Sequence, residues 1–232
     1  MNKREIVKKA FIKSLPVMAA YEVLGAGFGI LMSRNGYHPV WSFLSSLFIF
    51  AGSMQFVLAD LLVSAAPVLT TAVMTVMINA RHLFYGISMV NRYRDKGRYR
   101  PYLIFALTDE TYSLLCDETD YPEEYKGLYC FLVSLFNQFY WVSGTVIGAA
   151  AGTLLSFDSS GIEFSMTALF VTVFTEQWLT SAGHRPALAG LLATALCLAV
   201  FGRSSFLIPA MILITILLSV PYVKRKRNGG GV

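Results

Sequence analysis

The feature that most constrains the fold is a series of long stretches without a charged side chain. Several are as long as a membrane span, and they comprise residues 35–59, 61–80, 127–157, 186–202 and 204–223. A helix needs roughly 20 mostly apolar residues to cross a bilayer. Charged residues make up 14% of the chain, whereas soluble domains carry about 25%. The sequence therefore predicts an all-α polytopic membrane protein and excludes a soluble enzyme, a nucleic-acid-binding protein and a secreted disulfide scaffold.

The charged residues predict how the chain is oriented. Most of the 19 Lys and Arg residues fall in three clusters, 3–13, 92–100 and 224–227, whereas acidic residues concentrate in the 117–124 loop. Basic clusters beside apolar segments are typical of cytoplasmic loops. We therefore expect a multi-pass protein of the cytoplasmic membrane with both termini in the cytoplasm and the acidic loop outside. The three cysteines lack CxxC spacing, so we expect neither a metal site nor a cofactor.

The hydropathy pattern divides the chain into membrane-associated elements, of which about six to eight are helices that enter the membrane. The predicted elements are roughly 14–33, 39–63, 66–90, 101–116, 127–155, 163–181, 185–201 and 204–223. They form a single transmembrane domain over residues 1–223, followed by a basic cytoplasmic tail at 224–232.

Two halves of this domain, about 14–116 and 127–223, match as an internal repeat. Tyr21-x-Val23-x-Gly25-xxx-Gly29 corresponds to Tyr140-x-Val142-x-Gly144-xxx-Gly148. If all three basic clusters lie in the cytoplasm, each half must cross the membrane an odd number of times. Each half has four predicted elements, so one of them is broken or re-entrant. Element 101–116 is then expected to cross outward. The halves are then opposite in orientation, an inverted repeat typical of secondary transporters.

Buried ionisable groups are the first candidates for a functional site. Arg81 lies about 15 Å along a helix from Asn91, and Asp109 lies about 12 Å from Pro101, so both are expected near the middle of the bilayer. Charges at that depth cost roughly 2.5–3.5 kcal/mol and are commonly functional. Arg81 and Asp109 or Glu110 can meet as a structural ion pair, as a substrate or proton site, or as both.

Further polar residues in apolar segments have two interpretations each. His82 suits a proton relay or hydrogen-bonded packing, and Glu22 is either a buried acid or an interfacial one. Gln55 and Gln177 occupy equivalent repeat positions, where they serve as midplane ligands or as interhelical hydrogen bonds. The glycines of both halves have the small-xxx-small spacing of closely packed helices.

Four motifs carry a family resemblance. They are Phe50-Ala51-Gly52-Ser53-Met54-Gln55-Phe56, Asn79-Ala80-Arg81-His82-Leu83-Phe84-Tyr85-Gly86, Leu107-Thr108-Asp109-Glu110 and Gly144-Thr145-Val146-Ile147-Gly148. The combination resembles the AzlC family, the large subunits of bacterial branched-chain amino acid exporters, including the YgaZ type. The resemblance implies export of leucine, isoleucine, valine and sometimes methionine, with a small hydrophobic partner subunit of the AzlD type. Asn79 stands where some relatives carry Asp, which weakens a role for Asn79 in proton coupling.

The sequence thus predicts a secondary exporter, driven by protons, with no catalytic residues. The candidates for substrate binding or proton coupling are Arg81, His82, Asp109, Glu110, Glu22, Gln55, Asn79, Tyr85, Thr108 and Gln177. A transporter of another small solute and a non-transporting scaffold or sensor subunit are the alternatives. A membrane enzyme is disfavoured, because neither GxSxG nor HExxH occurs, and the missing GxxxxGK[ST] motif argues against ATP hydrolysis.

Overall fold

A computed structural model describes residues 3–79, 81–116, 123–154 and 183–202, with shorter pieces at 171, 174–175, 178–179, 206, 209–210, 212–214 and 216–217. The side chains of Arg81, Phe84, Glu123 and Glu124 lie outside this description. The chain divides into two compact units, Met1–Thr167 and Ala168–Val232, and each is described by itself.

Within the described residues, all regular elements are helical. In the first unit they are α1 (Lys3–Arg34), α2 (Pro39–Phe48), α3 (Gly52–Val63), α4 (Val68–Asn79), α5 (Arg81–Tyr93), a 3-10 helix (Gly97–Tyr99), α6 (Arg100–Phe105), α7 (Asp109–Leu115) and α8 (Glu123–Leu154). Pro39 and Pro101 occupy the first turns of α2 and α6, where a missing N–H is tolerated.

The long helices α1 and α8 form the centre of the first unit. Each has 32 residues, or about 48 Å at 1.5 Å per residue. Within the described part of the chain, Lys3–Arg34 and Tyr125–Leu154 are the two helices long and apolar enough to cross a membrane. Large apolar side chains on them are exposed, Val23 at 72% and Phe139 at 64%. Exposed apolar surface of this kind is suited to lipid.

Glycines allow the backbones of α1 and α8 to touch. A Cβ on Gly25 would lie 2.9 Å from the backbone oxygen of Trp141, and one on Gly144 would lie 2.7 Å from that of Glu22. These two contacts are equivalent under the Tyr21–Tyr140 offset, so the packing is locally symmetric. The predicted close packing at the small-xxx-small positions is confirmed.

The order of these contacts shows that α1 and α8 run in the same direction. Beyond Gly25 and Trp141, Gly29 meets the backbone of Thr145, and Gly152 then lies against Ser33. Contacts therefore advance along both helices together. The expectation that the two halves begin with oppositely oriented helices is wrong for this pair, because it assumed that 101–116 crosses the membrane.

The end of this helix pair that holds both N-termini is called the basic end, since the Lys3–Lys13 cluster begins there, and the other is called the opposite end. Helices α2 and α3 form a broken element that begins and ends near the opposite end. Phe50, in the break between the two helices, contacts the Tyr21 ring with centroids 6.4 Å apart, whereas Phe56 on α3 contacts Phe28 at 5.7 Å. Phe28 lies nearer the opposite end of α1 than Tyr21 does. Helix α3 therefore runs from the break back toward the opposite end.

Helices α4 and α5 return the chain to the basic end, with Ala80 between them outside the described residues. Tyr93, the last residue of α5, is buried in one cluster with Ile6 on α1 and Tyr129 on α8. Since Ile6 and Tyr129 lie near the N-termini of their helices, α5 ends at the basic end.

Helices α6 and α7 form a second broken element, which begins and ends at the basic end. Tyr99, just before α6, lies 3.2 Å from the position of a Cβ on Gly127 near the start of α8. At the end of α7, the Leu115 carbonyl accepts a hydrogen bond from Arg92 Nη1 at 2.8 Å. The helix stops at Ala106 and restarts at Asp109. The predicted outward crossing of 101–116 is therefore wrong: this element is re-entrant.

The second unit contains α9 (Arg185–Phe201), which has the bounds predicted for the element at 185–201. Gly202 ends it with a positive φ of 72°, a conformation that glycine adopts without strain. Before α9, the Trp178 ring stacks on His184 with centroids 4.1 Å apart. Most of the predicted elements 163–181 and 204–223, and the tail at 224–232, lie outside the described residues.

Candidate functional site

A buried polar cluster lies where the tip of the second broken element meets α1. The Tyr21 hydroxyl donates to Glu110 Oε2 at 2.6 Å and lies 2.9 Å from Thr108 Oγ1. Tyr21 is only 4% exposed and Thr108 7% exposed, while Glu110 is half-buried. The cluster therefore places a carboxylate inside the helix bundle with a hydrogen-bond donor from another helix.

Thr108 fixes the local geometry of the break. Its extended backbone makes it the N-cap of α7, and its Oγ1 accepts a hydrogen bond from the Thr111 amide at 3.2 Å. A Thr at this position followed by acidic residues is a common helix start. Asp109 and Glu110 consequently form the first turn of α7, and both are half-buried.

The cluster continues from α7 to α8 through Thr111 and Asn137. Thr108 Oγ1 donates to Thr111 Oγ1 at 3.1 Å, and Asn137 Nδ2 donates to the same Thr111 oxygen at 3.0 Å. Thr111 and Asn137 are fully buried. Five side chains from three helices thus form one continuous chain of polar contacts of 2.6–3.1 Å.

Gln55 belongs to a separate network that holds the first broken element against α8. Its Nε2 donates to Ser46 Oγ at 3.0 Å, and its Oε1 accepts from Trp141 Nε1 at 2.9 Å. Ser46 in turn donates to Thr145 Oγ1 at 2.9 Å. These contacts fit the interpretation of Gln55 as an interhelical hydrogen-bonding residue, because the nitrogen and the oxygen of its fully buried amide both have hydrogen-bond partners on other helices or segments.

A cavity of about 460 Å³ lies beside the two breaks. Its walls come from both broken elements and from α4 and α5, and they are mostly apolar. The lining comprises Ile49, Phe50, Ala51, Asn79, His82, Leu83, Gly86, Met89, Val90, Tyr93, Arg100, Ile104, Phe105 and Leu107. Two predicted site residues, Asn79 and His82, therefore face this cavity. Its size is within the roughly 300–1,000 Å³ of small-molecule sites.

Tyr85 connects the cavity wall to the element that carries the acids. Its ring stacks on Tyr112 of α7 with centroids 5.0 Å apart, and it meets His82 edge-on at 6.2 Å. Helices α5 and α7 are therefore neighbours, as the sequence predicted for the segments of Arg81 and Asp109. Both helices begin at these two residues.

The remaining candidates lie apart from this cluster or outside the described residues. Glu22 Oε1 accepts a hydrogen bond from Ser143 Oγ at 2.6 Å, in a contact between α1 and α8. The Arg81 side chain and all of Gln177 are among the residues that the structure does not describe, so the ion pair of Arg81 with Asp109 stays a prediction.

Sequence reasoning did not identify Tyr21, Thr111 and Asn137 as members of the site. For Asn137 a signal exists, because Asn137 and Gln138 are adjacent polar residues within the charge-free stretch 127–157. Tyr21 was noticed as a repeat position only. Thr111 gives no signal, since a threonine in a helix is common and its partner comes from a distant segment.

Broken elements that begin at opposite ends and meet beside a polar cluster are typical of helical, polytopic membrane proteins of the transport class. The family model described as AzlC protein matches residues 16–155. The chain belongs to the AzlC family.

Relatives from several bacteria agree with this assignment. The chain is 40% identical to "Branched-chain amino acid transport protein AzlC" of Bacillus subtilis, over 95% of this chain and 88% of that protein. It is 39% identical to an "Uncharacterized membrane protein" of Haemophilus influenzae, over 95% and 91%. It is 27% identical to "Inner membrane protein YgaZ" of Escherichia coli, over 86% and 82%. No solved structure is significantly similar to this chain.

Proposed function

We propose that this protein is a secondary transporter that exports branched-chain amino acids across the cytoplasmic membrane, coupled to protons, with a small AzlD-type partner subunit. The observation that carries the proposal is the apolar cavity at the meeting point of two broken elements, whose lining ends at Leu107, two residues before the half-buried acids Asp109 and Glu110. The name of the Bacillus subtilis relative, a branched-chain amino acid transport protein, supports the substrate class.

The cavity suits the side chain of such a substrate. Leu83, Met89 and Phe105 are among the apolar residues of its wall, and contact with them favours an aliphatic group over a charged one. One methylene changes binding to an apolar pocket by only about 1–3 kcal/mol. We therefore expect leucine, isoleucine and valine, and also methionine, to be accepted with modest differences.

The acids of α7 provide a site for the substrate's ammonium group. Asp109 and Glu110 are half-buried, so a bound ammonium would meet them in a low-dielectric environment, where ionic contacts are strong. The carboxylate of the substrate is assigned to Arg81, since α5 begins beside α7. Release or capture of a proton by Asp109 or Glu110 would couple transport to the proton gradient.

The orientation of the chain in the membrane is inferred from the charges, and export as the direction of transport follows the family resemblance. Arg92 through Arg100 and the N-terminal cluster share the basic end, and positive loops favour the cytoplasm. The cavity lining includes Arg100 and Tyr93 at that end, so the cavity lies on the path from the cytoplasm to the polar cluster. The AzlD-type partner is supported by the family resemblance.

Counterflow of labelled isoleucine in proteoliposomes tests the proposal. We expect uptake against an internal pool of unlabelled isoleucine, inhibition by leucine and valine, and net flux that follows an imposed pH gradient. The assay is run with the chain alone and with its partner, so that the contribution of the partner is measured directly.

Two outcomes would contradict the proposal. Binding of the partner without any counterflow would identify a scaffold or sensor subunit. Counterflow of a different solute, with no competition by branched-chain amino acids, would show that the cavity serves another substrate.

A further inference from the structure

We infer that Asn137 and Ser134 on α8 hold a buried water molecule that carries protons between Glu110 and the basic end. The inference rests on the proposed function and deepens it by assigning the proton route. It begins from the chain of polar contacts that joins Glu110, Tyr21, Thr108, Thr111 and Asn137. That chain leads away from the acid, through the interior, to α8.

The chain of hydrogen bonds does not end in a satisfied group. Asn137 Oδ1 is buried and has no hydrogen-bond partner among the described residues. Ser134 Oγ is also buried without a hydrogen-bond partner among the described residues. The side chains of both residues are fully buried. A buried polar atom without a partner costs about 1–3 kcal/mol, so two such atoms three residues apart on one helix point to a ligand that satisfies both.

The spacing of these residues fits a single water. Residues three apart on a helix share a face, with Cβ atoms roughly 5–6 Å apart, which is a distance that one water can bridge. Buried waters typically make about three hydrogen bonds to otherwise unsatisfied polar groups. Asn137 Oδ1 and Ser134 Oγ supply two of these bonds, and the Thr111 hydroxyl, already bonded to Asn137, is the nearest candidate for a third.

The direction of the route follows from the helix. Ser134 precedes Asn137 on α8, and α8 begins at the basic end, so the step from Asn137 to Ser134 leads toward that end. The titratable groups next to this chain of contacts are Tyr21 on α1, which donates to Glu110, and Asp109 and Tyr112, which neighbour Thr108 and Thr111 along α7. Tyr85 of α5 stacks on Tyr112. An amide does not transfer a proton itself, so Asn137 is a positioning residue and the water is the carrier.

The test separates proton movement from substrate movement. Counterflow exchanges one amino acid for another without net proton transfer, whereas flux driven by a pH gradient requires it. We expect Ser134→Ala to lower gradient-driven flux by about tenfold or more and to leave counterflow within about twofold of the wild type. Ser134→Thr keeps the hydroxyl and should retain coupling.

Ser42→Ala is the matched control, because Ser42 is also fully buried and its Oγ also has no partner among the described residues. It lies on α2, away from Glu110, and the variant should couple normally. Equal losses of counterflow and gradient-driven flux in Ser134→Ala would show a structural role and overturn the inference. No change in either rate would overturn it as well.

An experimental map that resolves buried waters gives a second reading that does not depend on transport. Density for a water within hydrogen-bond distance of Asn137 Oδ1 and Ser134 Oγ supports the inference. A dry site there overturns it, even if isoleucine counterflow is normal. Absence of isoleucine counterflow in the wild type would instead count against the proposed function.

Discussion

Phe50 shows how a single residue can mark the place where a membrane element breaks. It is a non-glycine residue with φ of 43°, in the left-handed region that costs an L-residue about 1–2 kcal/mol. It is also 4% exposed, packed between Tyr21 and Phe105. Its backbone strain and its side-chain packing therefore have opposite effects on stability.

Substitutions at Phe50 separate these two effects. Phe50→Ala and Phe50→Gly both lose the ring, which costs about 3–5 kcal/mol in a packed core, but only glycine also relieves the strained φ. We expect Phe50→Gly to be at least as stable as Phe50→Ala, the reverse of the usual order for a residue within regular structure. Thermal unfolding in detergent measures the difference. A clearly lower midpoint for Phe50→Gly would show that the left-handed conformation is not strained.

A substitution at Asp109 tests whether this acid couples transport to protons. We expect Asp109→Asn to reduce proton-driven flux by about 100-fold while leaving the protein folded, because the amide keeps the shape of the side chain and loses its charge. Flux in proteoliposomes and elution on size exclusion measure the two properties. Full proton-driven activity in the folded variant would show that Asp109 is not the coupling group.

At the scale of elements, the packing of α1 on α8 depends on glycines at the contact. A Cβ on Gly148 would overlap the backbone of Ala26, whereas one on Gly86 meets nothing within 4 Å among the described residues. We expect Gly148→Ala to destabilise the protein by at least about 1–3 kcal/mol, the usual cost of overpacking, because neither backbone can move independently.

Gly86→Ala is the control for that substitution. It places the same methyl group on a helix with room for it, and alanine favours helix by about 1 kcal/mol over glycine, so its stability should be equal or higher. Thermal midpoints of both variants give the comparison. Equal stability of Gly148→Ala and Gly86→Ala would contradict the close contact of α1 and α8.

The elements also show what a sequence can and cannot reveal. The bounds of α9 and the small-xxx-small packing followed from apolar length and glycine spacing, which are local properties. The break at 106–108 contains neither proline nor glycine, so nothing local distinguishes it from a continuous span. Its re-entrant path depends on tertiary contacts with α1, α5 and α8, which no local pattern reveals.

The same limit applies to the site. The position of Asp109, Glu110 and His82 within the predicted membrane segments was enough to identify them, because charged and polar groups inside apolar segments are conspicuous. Sequence reasoning did not identify Tyr21 and Asn137 as partners of these acids, since neither a tyrosine at a repeat position nor a polar Asn-Gln pair reveals which side chains it contacts. Only the meeting of α1, α7 and α8 brings the two side chains to the acidic cluster.

At the scale of the whole molecule, the position of α6 and α7 changes the expected topology. The flanks of the acidic loop, Leu115 and Gly127, lie near the basic end with Arg92 and Tyr99. In a background without native cysteines, we expect Arg98→Cys and Lys126→Cys to react with an impermeant maleimide from the same side of the membrane. Arg34→Cys, at the other end of α1, should react from the opposite side. Labelling of positions 98 and 126 from different sides would mean that the element crosses.

The most direct test of the central claim is whether branched-chain amino acids occupy the cavity beside the two breaks. Leu83 lines that cavity and is 67% exposed, so Leu83→Cys in the same cysteine-free background should react with a maleimide. We predict that leucine, isoleucine and valine slow this reaction while lysine and glutamate do not, and that Val23→Cys on the outer face of α1 is unaffected by all five. Unchanged labelling of Leu83→Cys at saturating isoleucine would contradict the account.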